Sequence, residues 1–183
     1  GVSPCGVWAM KSNHPDGTDI KSSMEAYYQV YADTRKWVLN EWIDYICPQV
    51  YWEINHSTAP FKPIVEWWNK LVANVDVDLY IGIAAYRGTS AAAYKDPAEI
   101  KAQLDYMDKM QNVDGAVFFS YKNLKNNTAG VKDTVTSRYG KGSTSTFEPI
   151  EPETPVVGDS TDIVLAYTTY TVSNDTENHF ILG

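Results

Sequence analysis

Cysteine and histidine are scarce in this sequence of 183 residues. It contains two cysteines, Cys5 and Cys47, and three histidines that are scattered along the chain. None of them has the close spacing that zinc sites use, so no metal centre is expected. Both cysteines lie in apolar, strand-like runs, where a thiol behaves as a small hydrophobic group. We therefore expect free thiols in preference to a disulfide.

Basic charge and long apolar runs are also lacking. Lys and Arg number 15 against 23 Asp and Glu, a formal net charge of −8. Nucleic acids bind basic surfaces, so a nucleic acid partner is not expected. No apolar run approaches the roughly 18 residues of a membrane-spanning helix. No glycine-rich phosphate loop or G-x-S-x-G turn is present, and no cofactor is expected.

Aromatic residues, by contrast, are abundant, at 13% of the chain with six Trp and thirteen Tyr. Some of these rings fill the core, but aromatic rings also stack on the flat apolar faces of ligands such as sugars. The composition therefore draws attention to aromatic residues at loop positions.

Four short apolar runs, at residues 1–4, 43–52, 77–86 and 114–121, are each followed by a helical pattern. Nearly continuous apolar strands are typical of a sheet buried on both faces. Strands that alternate with helices indicate parallel βαβ units. The sequence therefore predicts an α/β fold of four βα units.

The expected helices are one over 27–42, one beginning near Pro63, one capped by Asp96, and one over 129–139 that stops at Gly140. Ser22 and Glu25 have the spacing of a capping box before the first of them. Residues 141–158 are rich in Ser, Thr, Glu and Pro, which predicts a linker after a domain of residues 1–140. Residues 159–183 have high β propensity and predict a tail that begins another domain or packs back on the first.

In parallel α/β folds, ligands bind at the carboxyl ends of the strands. The side chains predicted there combine aromatic rings with hydrogen-bonding groups, which suits a carbohydrate. The predicted sugar-binding residues are Trp8, His14, Gln49, Tyr51, Trp52, Tyr86, Arg87 and Lys122. The alternative is that some of these aromatic rings only cap the core.

Glycoside hydrolysis needs two carboxylates beside the scissile bond. Glu53 follows a predicted strand end, and Asp16 lies in the loop after the first run, so these two are the candidate catalytic residues. Each also has a plain alternative, as a solvated loop acid for Glu53 and as a turn residue for Asp16.

Several segments, in order, resemble the glycosyl-hydrolase-like 10 family of bacteria. They are Gly-Val-Ser-Pro-Cys-Gly-Val-Trp at 1–8, Tyr-Ala-Asp-Thr-Arg-Lys-Trp at 31–37, the run from Trp42 to Trp52, Leu-Tyr-Ile-Gly-Ile-Ala-Ala-Tyr at 79–86, and Gly-Ala-Val-Phe-Phe-Ser at 115–120. Together they cover residues 1 to about 140.

The resemblance implies the second half of a (β/α)8 barrel in an exported enzyme that acts on cell-envelope glycans, with peptidoglycan strands favoured. It also implies that the main catalytic acid lies upstream, so we expect this fragment to be inactive alone. A lone half barrel exposes two sheet edges, which predicts a homodimer or a covering segment. The alternatives are a non-catalytic carbohydrate-binding module and a purely structural fragment.

Overall fold

The computed structural model describes residues 1–140; the predicted linker at 141–158 and the β-rich tail at 159–183 lie outside the described residues. The helices and strands, in chain order, are α1 (Ala26–Gln29), α2 (Thr34–Leu39), β1 (Tyr45–Ile46), α3 (Phe61–Leu71), β2 (Asp78–Ile83), α4 (Pro97–Met107), β3 (Gly115–Phe118), α5 (Tyr121–Lys125) and α6 (Val131–Tyr139). Short 3₁₀ turns occupy Ala85–Thr89, Ala92–Lys95 and Thr128–Gly130.

Within residues 1–140, the three strands form one parallel sheet in the order β1-β2-β3. The helices α3 and α4 connect neighbouring strands, as right-handed crossovers do in parallel sheets. The predicted α/β class with parallel strands is therefore confirmed, and the arrangement is consistent with half of a TIM-barrel-like domain.

The first apolar run does not form a strand of its own, so the prediction of four βα units is not confirmed. Val2 and Cys5 instead make isolated parallel bridges to Ile46 and Gln49. Both bridges have the same register, so the first run lies parallel to β1 and beside it, but the two do not form a continuous ladder.

Two prolines explain this interrupted pairing. Pro4 lies between the bridged residues of the first run, and Pro48 occupies the matching place opposite it. Proline has no N–H to donate, so Pro4 gives no hydrogen bond to the segment of β1. Pro48 faces β2 instead, since Cys47 and Gln49 on either side of it donate to Val2 and Pro4, and it gives no hydrogen bond toward β2. Pro48 also ends the ladder to β2, which resumes as a single Gln49–Gly82 bridge. β1 is therefore much shorter than the predicted run 43–52.

The predicted helix over 27–42 is wrong, because two shorter helices occupy this segment. Tyr31, between α1 and α2, has a φ of 55°, in the left-handed region that continues no α-helix. The Asp33 side chain then caps α2 by accepting a hydrogen bond from the Lys36 N–H at 3.2 Å. Tyr31 and Trp42, expected on the buried stripe, are exposed.

The predicted capping box at Ser22 and Glu25 does not form either. α1 has no side-chain cap, and the Glu25 carboxylate turns toward the loop after the first run. It accepts hydrogen bonds from the Met10 N–H at 2.7 Å and from Asn13 Nδ2 at 2.8 Å. A tertiary partner has thus replaced the local one, and Glu25 fixes that loop.

The other three helices match their predictions closely. α3 buries Ile64 and Trp68, and Asp96 caps α4 by accepting from the Ala98 N–H at 2.8 Å. α6 ends at Tyr139, with Gly140 as its C-cap. In these segments the apolar period and the capping residues agree with tertiary packing.

The core lies between the sheet and its helices. Leu79, Ile81 and Ile83 of β2 face Ile64 of α3 and Leu104 of α4, and all five are fully buried. The thiols of Cys5 and Cys47 are free, as predicted. None of the helices in residues 1–140 has the length and apolar character to cross a membrane.

Candidate functional site

Three aromatic rings meet at the carboxyl edge of the sheet. The ring centroid of Tyr51 lies 5.9 Å from that of Tyr86 and 6.2 Å from that of Phe119, and the last two rings are 6.1 Å apart. Phe119 is 55% exposed and Tyr86 36% exposed. We call these three residues the aromatic triad; it offers apolar surface to solvent where parallel α/β folds bind ligands.

Each ring of the triad comes from the segment after a different strand. Tyr51 follows β1, and Tyr86 lies in the 3₁₀ turn after β2. Phe119 directly follows β3, and its backbone N–H donates to the carbonyl of Ile83 at 2.9 Å. The Tyr86 N–H donates to the Phe119 carbonyl at 3.1 Å, which joins the two segments. Parallel strands thus bring three distant parts of the chain to one place.

The Tyr51 hydroxyl is a neutral hydrogen-bonding group. Burial raises the pKa of Tyr51 to about 12, and the neighbouring Cys47 and Tyr86 act in the same direction. The phenol therefore stays protonated up to strongly alkaline pH and can both donate and accept a hydrogen bond.

Glu53 and Arg87 form the charged part of this edge. Arg87 Nη1 lies 3.9 Å from Glu53 Oε2, and the side chains are 29% and 26% exposed. Glu53 Oε2 is itself buried and accepts no hydrogen bond. A buried carboxylate oxygen without a hydrogen-bond donor is poorly satisfied, and the Arg87 guanidinium is the nearby charge that offsets it.

Buried polar side chains support the segment that carries Glu53. Gln103 of α4 is fully buried, and its Nε2 lies 3.2 Å from the Trp52 carbonyl and 3.0 Å from the Tyr94 hydroxyl. Tyr94 is buried too, and burial raises the pKa of its hydroxyl. The floor beneath the edge is therefore hydrogen-bonded through the Gln103 amide nitrogen, whereas the buried Oε1 of Gln103 has no hydrogen-bond partner.

Trp8 and His14, both predicted to bind sugar, lie in a second aromatic cluster. Trp8 is only 2% exposed; its ring stacks on Trp67 at 5.8 Å and meets His14 edge-on at 4.7 Å. Its Nε1 donates to Asp33 Oδ1 at 3.1 Å. In this structure Trp8 has no open face for stacking, because the loop of residues 10–18 and α3 cover it.

Asp16 lies apart from Glu53, in the loop over this second cluster. Its carboxylate pairs with Arg35 at 2.9 Å, and its backbone carbonyl accepts a hydrogen bond from Trp67 Nε1 at 2.7 Å. The guanidinium of Arg35 also lies over the Trp8 ring, 5.4 Å from its centroid. These contacts give Asp16 a structural role in holding the loop.

The other predicted binding residues are distributed along the edge. Gln49 donates from Nε2 to the Ser3 carbonyl at 3.0 Å, and Trp52 is half-buried against the core. Lys122 is exposed on α5. The structure therefore brings Tyr51 to Tyr86 and Glu53 to Arg87.

Sequence reasoning missed Phe119, Glu99 and Gln103. Side chains alternate between the two faces of a strand, so Phe118 and Phe119 had to point in opposite directions, and this signal could have identified Phe119. Glu99 and Gln103 lie four residues apart on one helical face, but nothing local marks that face as the one that meets Trp52. Among residues 1–140, no group of three His, Cys, Asp or Glu side chains could hold a metal ion.

Comparison with known proteins gives one family. Residues 1–100 match the family described as "Glycosyl hydrolase-like 10". The chain is 38% identical to "Glycosyl hydrolase YngK" of Bacillus subtilis (strain 168) over 144 residues, which is 77% of this chain and 28% of the relative. It is 39% identical to "Glycosyl hydrolase DigH" of Escherichia coli (strain K12) over 126 residues, 65% of this chain and 28% of the relative.

The matches thus span about 28% of the length of these curated relatives. The family match nevertheless covers more than half of the chain and includes the segments that carry Tyr51, Glu53, Tyr86 and Arg87. This chain belongs to the glycosyl hydrolase-like 10 family.

Proposed function

We propose that this chain forms part of a glycoside hydrolase and supplies a sugar-binding surface at the carboxyl edge of its sheet. The observation that carries the proposal is the aromatic triad of Tyr51, Tyr86 and Phe119 beside the Glu53–Arg87 pair. The family and the relatives named glycosyl hydrolases support the reaction class.

The chemistry of the edge fits a glycan. A pyranose ring has an apolar face that stacks on exposed aromatic rings such as Phe119 and Tyr86. Its hydroxyl groups need donors and acceptors, which the Arg87 guanidinium, the Tyr51 hydroxyl and the Glu53 carboxylate provide.

We assign Glu53 to contact with the glycan and keep it as the first catalytic candidate of this chain. Asp16 becomes the weaker candidate because Arg35 pairs with its carboxylate. Hydrolysis of a glycosidic bond needs a second carboxylate on the other side of that bond. We propose that the main acid comes from a part of the full-length protein upstream of these residues.

As the substrate we favour the glycan strands of peptidoglycan. This choice comes from the family resemblance, and it implies that the protein works outside the cytoplasm, in the periplasm, at the envelope or secreted. Association of two copies through the exposed sheet edges remains part of the same proposal, since unpaired edges favour pairing.

A non-catalytic carbohydrate-binding module is the second candidate function. The pairing of the Asp16 carboxylate with Arg35 at 2.9 Å favours this function, because it leaves Glu53 as the one candidate acid without a close ion pair. Aromatic rings and one carboxylate are enough to bind a sugar, whereas hydrolysis requires two acids in set positions.

Turnover of purified, peptide-free peptidoglycan strands distinguishes these functions. We would compare the 183-residue chain with a chain extended to the length of its relatives, and measure the release of reducing ends. We expect activity in the extended chain only. Glycan binding by both chains without turnover by either would favour the binding module, and turnover by the short chain would overturn the upstream placement of the acid.

A further inference from the structure

We infer that Glu99 and Gln103 are positioning residues for Glu53. Both side chains project from α4, and they hold the two peptide groups that flank Glu53. This inference rests on the proposed function, in which the Glu53 carboxylate contacts the glycan, and it adds how that carboxylate is kept in place.

The geometry is a clamp with one contact on each side of Glu53. On the C-terminal side, the N–H of Ile54 donates to Glu99 Oε1 at 2.8 Å. On the N-terminal side, Gln103 Nε2 donates to the carbonyl of Trp52 at 3.2 Å. The backbone of Glu53 is therefore fixed through its own two peptide bonds, while its side chain remains partly open to solvent.

The clamp is also closed on itself. Gln103 Nε2 also lies 2.8 Å from Glu99 Oε1, so its two N–H groups are shared among this carboxylate, the Trp52 carbonyl and the Tyr94 hydroxyl. Their four-residue spacing puts them on neighbouring turns of one helical face. Gln103 is fully buried, and buried hydrogen bonds are costly to break because water cannot replace the lost partner. We expect little freedom in this segment.

The same support reaches the cation that pairs with Glu53. The Tyr94 hydroxyl, 3.0 Å from Gln103 Nε2, belongs to the second of the two 3₁₀ turns that follow β2. Arg87 belongs to the first of these turns, where the Ala91 N–H donates to the Arg87 carbonyl at 2.8 Å. Gln103 thus connects the segment that carries the acid with the turns that carry its partner.

Such rigidity affects binding and catalysis more than fold. A displacement of about 1 Å in a reacting group lowers activity by as much as ~100-fold. An acid on a loop keeps its place only if buried neighbours hold that loop. Loss of the clamp should therefore weaken glycan binding and turnover while the domain stays folded.

The test uses the extended chain with variants Glu99→Ala, Glu99→Gln and Gln103→Leu. Lys101→Ala, on the exposed side of the same helix, is the matched control. The readouts are hydrogen exchange of the Ile54 amide, and the affinity and turnover of peptide-free peptidoglycan strands. The amide exchange needs no glycan, so it reports the clamp separately from the function.

For Glu99→Ala and Gln103→Leu we expect roughly tenfold weaker binding or slower turnover, and in Glu99→Ala faster exchange at Ile54. Glu99→Gln should retain both properties, because its amide oxygen still accepts from Ile54. In a Glu53→Gln background the clamp variants should add nothing further, because a positioning residue acts through Glu53.

Two results would overturn the inference without touching the proposed function. One is unchanged exchange of the Ile54 amide in folded Glu99→Ala. The other is a loss of binding in the clamp variants that adds in full to the loss caused by Glu53→Gln. Such additivity would indicate that Glu99 and Gln103 have a general structural role and do not act through Glu53. Failure of the proposed function is a separate result: Glu53→Gln then binds and turns over glycan normally, and the clamp has no functional acid to position.

Discussion

Gly6 packs against the indole ring of Trp52. A Cβ at Gly6 would be 3.0 Å from that ring and 2.5 Å from the carbonyl oxygen of Gln49. Real Cβ atoms do not approach backbone this closely, so glycine is required where the first apolar run passes under the segment that leads to Glu53.

Gly6→Ala should therefore destabilise the chain by about 1 to 3 kcal/mol through overpacking. Urea denaturation followed by tryptophan fluorescence measures this loss. Gly6→Ala combined with Trp52→Leu serves as the control, because it removes the ring but leaves the contact with the Gln49 carbonyl. We expect no recovery; full recovery would mean that the ring alone requires glycine.

Trp68→Phe should destabilise the chain more than Trp67→Phe, although both residues lie on α3. Trp68 Nε1 is buried and donates to the Gly6 carbonyl at 2.7 Å, so its removal leaves an unsatisfied acceptor that costs about 1 to 3 kcal/mol. Trp67 Nε1 donates to the exposed carbonyl of Asp16, which water can satisfy. Thermal unfolding compares the two, and equal losses would contradict this account.

Phe119→Ala should weaken binding of peptide-free peptidoglycan strands by about tenfold, the worth of roughly one stacked aromatic ring. Trp42→Ala is the matched control, because Trp42 is also exposed but precedes β1 at the opposite edge of the sheet. Isothermal titration of the extended chain measures both. An equal effect of the two substitutions would argue against a localised sugar site.

Cys47 should make the stability of the chain fall with pH in the alkaline range. Burial raises the pKa of its thiol from 9.0 to about 11, and a hydrogen bond with Ser3 opposes part of this rise. The folded state therefore holds a proton that the unfolded state releases between these values. The contribution of Cys47 is complete below pH 9 and is lost as the pH rises through about 11.

Urea denaturation of the wild type and of Cys47→Ala between pH 8 and 11 tests this slope. The difference in unfolding free energy between the two chains should shrink by about 2 to 3 kcal/mol across that window, the equivalent of two pKa units. A constant difference would show that the thiol ionises equally well in the folded chain. Slow alkylation of Cys47 at pH 8 in the native state is the companion observation.

Local sequence signals identified the elements in which propensity and packing agree. The apolar stripe of α3, the Asp96 cap of α4 and the Gly140 end of α6 were all predicted, because the same residues satisfy both the helix and the core. The parallel α/β class followed from the alternation of apolar runs with helical patterns. The resemblance to the family was also evident from ordered motifs, and the family match confirms it.

Prediction failed where a tertiary partner outcompeted a local one. Glu25 has the spacing of a capping box, yet its carboxylate binds the loop at Met10 and Asn13. Tyr31 continues a helical period in sequence, yet it adopts a left-handed conformation that ends α1. The outcome for Glu25 cannot be derived from its neighbours in the chain, because its partners lie 15 and 12 residues away. Tyr31 is 90% exposed, so no buried contact accounts for its conformation.

The sequence by itself determined the helices α3, α4 and α6, the parallel α/β class, and that Tyr51, Glu53, Tyr86 and Arg87 follow strand ends. Only the tertiary structure decided which of these residues meet. It buried Trp8 beneath its own loop, added Phe119 to the two tyrosines and put Glu99 and Gln103 of α4 against the segment of Glu53. The physical reason is that periodicity fixes the face on which a side chain lies, whereas the contacts of that face depend on the packing of chain segments far apart in sequence.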